Sequence, residues 1–154
     1  MKKSSFIRVV LTTFLASLGL SSGCTDGDAG ASKFLVTLQD AVMKLGVGQE
    51  LRMGAINPDQ WTRLYIFAPY TPLSEIEATT NSKASQAIRR VNVSERDDVY
   101  LFVFFNEDTL QMVAAVPRNV IELSVPKEAQ PLNPDMAVFK KLDSSKSFVW
   151  AGRK

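Results

Sequence analysis

Apolar residues recur along this chain with two different periods. Phe34, Leu35, Leu38, Ala41, Val42 and Leu45 form one stripe of a 3.6-residue helix. The pattern predicts a helix over 33–45, with Ser32 capping its start and Gly46 ending it in the left-handed conformation. No Lys/Arg-rich face opposes the stripe, which favours packing in a core over lying on a membrane surface. From Trp61 to Phe67 the period shortens to two. Trp61, Arg63, Tyr65 and Phe67 fall on one side of a strand, and Thr62, Leu64 and Ile66 on the other. Val99 to Phe105 is apolar on both sides: Val99, Leu101, Val103 and Phe105 against Tyr100, Phe102 and Phe104. Such a strand belongs in the middle of a sheet covered on both faces. Asn106-Glu107-Asp108-Thr109 turns it into a partner over 110–116, which Pro117 stops.

Shorter signals complete the domain. Gln49 to Met53 reads as a strand and Asn57-Pro58-Asp59 as a turn. Thr71 as N-cap, Pro72 at the first helical position, and Glu75 and Glu77 behind them start a helix that turns Leu73 and Ile76 inward. Ala84, Ala87, Ile88 and Val91 suggest a further helical piece. Ile121 to Val125, Ala137 to Lys140 and Phe148 to Ala151 read as edge strands separated by Pro126, Pro131 and Pro134. The expectation is a single α+β domain over 33–154, an antiparallel sheet of about four to six strands with two or three helices packed on it.

Before the domain stands a leader. Lys2 and Lys3 precede an apolar run from Val9 to Leu20, too short for a bilayer core, which needs about 20 apolar residues. Small residues then lead into Cys24, the single cysteine of 154 residues. Leu20-Ser21-Ser22-Gly23-Cys24 resembles the bacterial lipobox, with the Leu one place further back than usual. This reads as a lipoprotein signal peptide over 1–23 and lipidation at Cys24, with palmitate-type chains. A lone thiol in an oxidising compartment invites pairing between chains, and acylation removes it. Ser21 and Gly23, or Ala29-Gly30-Ala31, also suit ordinary signal peptidase and simple secretion. Residues 24–32, rich in Gly, Ala and Asp, read as a flexible tether. The lipoprotein resemblance implies, through Thr25, an outer-membrane anchor facing the periplasm. The chain carries 18 basic and 16 acidic residues. Lys2, Lys3 and Arg8 belong to the leader, which holds no acid, so 15 basic residues face 16 acidic ones after it. A near-neutral domain is poor material for nucleic-acid binding.

Trp61-Thr62-Arg63-Leu64-Tyr65-Ile66-Phe67-Ala68-Pro69-Tyr70-Thr71 resembles a segment of a group of small bacterial secreted and lipoprotein domains, in which a Trp leads into Tyr-Ile-Phe and then Gly-Pro-Tyr-Thr. Leu101 to Phe104, its hairpin partner and Pro117-Arg118-Asn119 are similar to the later part of those domains. Ala68 stands where that group has Gly. The resemblance covers roughly 49–119 and implies an exported α+β domain in the cell envelope, without an assigned activity.

The chain has no histidine, which removes the commonest general base and metal ligand. With Cys24 acylated, no thiol remains for catalysis or zinc, and no cofactor motif is present. Ser124-Val125-Pro126-Lys127 has the Ser-x-x-Lys spacing, but Pro126 opposes the helix that chemistry requires. Glu95, Asp97, Asp98, Glu107 and Asp108 are loop carboxylates. With Arg118, Asp97 and Asp98 would serve a small carboxylate-dependent enzyme if they converged in a cleft. The favoured expectation is a non-catalytic binding module for a protein or cell-wall partner, held to the membrane by its lipid. An inhibitor of an exported hydrolase is the second reading. Trp61, Tyr65 and Tyr70, with Arg118 and Asn119 at a strand end, are the candidate partner-binding residues. Trp61, Tyr65 and Phe67 would floor a groove unless a helix covers them.

Overall fold

A computed structural model describes residues 26–57, 61–81 and 85–152. The leader, Cys24, the Pro58-Asp59 part of the expected turn and Ala84 lie outside the described residues. In chain order the elements are α1 (Asp26–Lys44), β1 (Glu50–Arg52), α2 (Met53–Ile56), β2 (Arg63–Phe67), α3 (Leu73–Thr80), α4 (Gln86–Val91), β3 (Val99–Asn106), β4 (Thr109–Pro117), β5 (Glu122–Ser124), β6 (Val138–Lys141) and β7 (Ser147–Trp150). No helix among the described residues is long and apolar enough to cross a membrane.

The protein is an α+β domain with its strands divided between two sheets. One sheet has the order β2-β3-β4 and is antiparallel throughout. The other has the order β1-β6-β7-β5, in which β5 and β7 run parallel. The strands expected as edges of one sheet therefore build a second sheet. Glu50–Arg52 joins it at one edge by pairing with Val138–Lys140.

β3 explains the layering. Tyr100, Phe102 and Phe104 point into a large core shared with Phe34, Leu38 and Val42 of α1 and with Leu51, Phe139 and Phe148 of the second sheet. Val99, Leu101, Val103 and Phe105 point the other way, under Ile76 of α3 and Ile88 of α4. The strand is buried on both faces, as its unbroken apolar run implies. Phe34 meets Phe104 edge-on at 5.3 Å between ring centroids, and Trp61 meets the same ring at 5.3 Å. Such pairs add about 0.5–1.5 kcal/mol each beyond area burial.

Three expectations change at α1. The helix starts at Asp26, so 26–32 is helical and not a tether, and Ser32 is not its cap. Ala31 packs against the core, and Gly30 faces Met112 of β4. Gly46 does not take the left-handed conformation; Gly48 does, at φ 79°. The last turn is instead capped by Lys141, a buried lysine whose Nζ donates to the carbonyls of Leu45 at 2.9 Å and Val42 at 3.3 Å. A cation there complements the negative end of the helix.

Candidate functional site: the Tyr70 turn

Between β2 and α3 the chain reads Ala68-Pro69-Tyr70-Thr71-Pro72. Pro69 cannot donate in a ladder, and Pro72 sets the extended residue from which α3 departs. Pro72, not Thr71, is the N-cap; the Thr71 hydroxyl turns back to the Ala68 carbonyl at 2.7 Å. Between the two prolines Tyr70 adopts φ 63°, a left-handed conformation that costs a non-glycine residue about 1–2 kcal/mol. Its N–H holds the strain by donating to the carbonyls of Val93 at 3.0 Å and Arg96 at 3.2 Å. The ring is left 61% exposed. Backbone strain kept at a solvent-facing aromatic is the kind of outlier that points to a contact surface.

Two clefts flank this turn and share Thr71. The first, about 120 Å³, lies over Ile76 and Ile88 and is rimmed by Arg89, Asn92 and Ser94. The second, about 200 Å³, has Ile66, Phe67 and Ala68 along its floor, Glu75 and Thr79 of α3 on one wall, and Val125, Lys127 and Gln130 on the other. Lys127 Nζ reaches Glu75 Oε1 across it at 2.7 Å, which raises the lysine above its ordinary range. Deeper in, the Gln130 amide accepts from Ile66 N–H at 2.8 Å and donates to Ile66 C=O at 2.9 Å. A third cleft, about 400 Å³, lies away from the turn among Glu50, Arg52, Asp135 and Gly152.

The remaining candidates separate. Trp61 and Tyr65, named as partner-binding candidates, are core residues, each 5% exposed, and the face of Tyr65 and Phe67 is the helix-covered one and not a groove. Tyr65 and Phe67 lie under α3 and α4, while Trp61 packs on the opposite side, with its Nε1 donating to the Asn57 carbonyl at 2.9 Å. The strand begins at Arg63, so the alternation does not extend back to Trp61.

Arg118 and Asn119 are exposed at the end of β4. Arg118 Nε and Nη2 grip both oxygens of Glu122, at 2.9 and 2.8 Å, and Tyr100 donates its hydroxyl to the same carboxylate at 2.8 Å. The guanidinium holds Glu122 below the usual carboxylate range, while burial and then the neighbouring carboxylate push Tyr100 up. Leu123 N–H also donates to the Tyr100 hydroxyl at 3.2 Å, so this group fastens β3 to β5. Arg118 does lie beside the two carboxylates weighed for an enzyme, its own N–H donating to the Asp98 carbonyl at 2.8 Å. The Asp98 carboxylate is held by Arg96 at 2.7 and 2.8 Å, and Asp97 offers Arg118 only its backbone carbonyl. Ser124 ends β5 exposed, and Lys127 is engaged by Glu75. No group of His, Cys, Asp and Glu among the described residues is arranged to hold a metal ion. Comparison with protein families, curated proteins and solved structures finds no match to this chain.

Proposed function

We propose that this is a lipid-anchored protein of the bacterial envelope whose domain acts as a non-catalytic docking module, with Tyr70 and its flanking clefts as the contact surface. The leader and Cys24 support the anchor, and the chain's lack of histidine supports a role in binding. The observation that carries the docking surface is Tyr70 itself: an aromatic ring held out to solvent by a strained backbone between two clefts. Aromatic side chains with neighbouring pockets are the usual energetic centres of protein contacts. The partner is a protein or cell-wall component on the periplasmic side.

A photo-activatable residue replacing Tyr70 in living cells should give adducts absent when the same residue replaces Lys140, an exposed position on β6. Equal adducts at both positions would remove the docking surface. The anchor is tested separately. Labelled palmitate should enter the chain and vanish in Cys24→Ala, and an unlabelled parent chain would refute it.

A further inference from the structure

The two edges of the β2-β3-β4 sheet are treated differently. β2 is closed. Leu64 exchanges both backbone hydrogen bonds with Leu132, at 2.7 and 2.9 Å, and Ile66 exchanges its pair with the Gln130 side chain. Leu64 and Ile66 thus face outward, so Tyr65 and Phe67 face β3 and bond their partners Val103 and Leu101. Val103 and Leu101 then face away from β4. Their register partners there, Val113 and Ala115, must turn their own N–H and C=O groups outward. Those outward groups have no partner among the described residues.

α1 packs on the face of β4 that carries Met112, Ala114 and Val116, but β4 lacks the sequence devices that guard an open edge. Its sequence, TLQMVAAVP, carries no charge, and its one proline stands at the last position. The register irregularity opposite Phe104 and Phe105 falls near Gln111, leaving 112–116 as regular strand.

We propose that the occupant of this edge is a second copy of the chain, its β4 paired antiparallel with the first about a two-fold axis at Ala114. In that register Val113 of each copy faces Ala115 of the other, and the two residues exchange both of their N–H···O bonds. Ala114 meets itself as a non-hydrogen-bonded pair, where Cα atoms approach to about 4.5 Å and a small side chain is needed. Met112 faces Val116. Large and small residues alternate across the axis, and an uncharged strand has no like charges to oppose when it meets itself. The same neutrality offers a charged foreign strand nothing to pair with. Because β2 is already covered, pairing through β4 consumes the one open edge of this sheet. The assembly then closes as a dimer instead of growing.

The test is sedimentation of the full chain in density-matched detergent, with amide hydrogen exchange at several protein concentrations. The dimer predicts a mass of two chains, with the Val113 and Ala115 amides gaining protection together as concentration rises. Ala115→Pro removes an N–H that the single chain does not use, and Val113→Lys brings a charge from each copy to the pairing. Both variants should sediment as single chains with an unchanged far-ultraviolet spectrum. If the proline variant fails to fold, the lysine variant and the exchange data decide. A single chain at every concentration would overturn the proposal. So would a dimer whose Val113 and Ala115 amides exchange freely, or one that survives Val113→Lys.

Discussion

Truncating Gln130 to alanine isolates one side chain's work in closing a sheet edge. Its amide supplies an acceptor at 2.8 Å and a donor at 2.9 Å to the two backbone groups of Ile66, a residue 5% exposed. Each such bond contributes about 1 kcal/mol net, and a buried backbone group left without a partner costs about 1–3 kcal/mol. The adjacent cleft of about 200 Å³ lets water reach at least one of the two groups in the variant. The expected loss is therefore about 2 kcal/mol, in the middle of that range. For a domain of this length that lowers the melting temperature by roughly 6–10 °C. Gln130→Glu sharpens the test, because a carboxylate still accepts from Ile66 N–H but sets its second oxygen against the Ile66 carbonyl. It should be the weaker variant at pH 7 and recover toward the parent as the carboxyl protonates. Thermal or urea unfolding at pH 7 and pH 4 reads both effects. A loss below about 0.5 kcal/mol for Gln130→Ala, or no recovery of Gln130→Glu in acid, would refute the reasoning.

Glu122 is held below its unfolded value, so its contribution is present above about pH 4.3 and declines as pH falls through the folded value. The urea midpoint of Glu122→Gln should fall less than the parent's between pH 7 and pH 3, and parallel curves would contradict this. Lys141→Met keeps the aliphatic stem but removes both caps of α1, for an expected loss of about 1–2 kcal/mol in urea unfolding. Tyr70→Gly relieves a left-handed backbone and gives up only an exposed ring. It should leave stability unchanged or raise it by up to about 1 kcal/mol, while abolishing the partner contact. Gly152→Ala would put a Cβ 2.1 Å from the Met136 carbonyl oxygen and 2.6 Å from Trp150 Nε1. The hydrogen bond those atoms share should break, costing about 1 kcal/mol by thermal unfolding.

What the sequence made legible was local. β3 could be read because seven consecutive apolar residues leave a strand no polar face, and the α1 stripe because its spacing is helical. α2, four residues long, is too short to show a period. The second sheet was hidden because its defining pair joins Leu51 to Phe139, a contact between distant segments with no local signature. Composition misled at 26–32: Gly, Ala and Asp suggest a linker, yet Ala31 meets the core. At the candidate site, Tyr70 stood out between its prolines, whereas Trp61 and Tyr65 could not be sorted without knowing that α3 and α4 cover one face and α1 the other. Arg118 and Glu122 lie four residues apart, but outside a helix that spacing does not bring side chains together, so the pair gave no signal. Gln130 gives no signal at all, because both of its bonds go to the backbone of a strand far away in the chain.

Lys141 ties the beginning of the described chain to nearly its end. Its ammonium closes the last turn of α1 and lies 6.0 Å from the centre of the Phe148 ring on β7. α1, the first helix among the described residues, thus waits for residues far later in the chain before its terminus is complete. Until β6 arrives, β1 too has no neighbour to pair with. A nascent chain halted before residue 138 should consequently remain open to proteases at the last turn of α1 and along β1, however long it is given to settle.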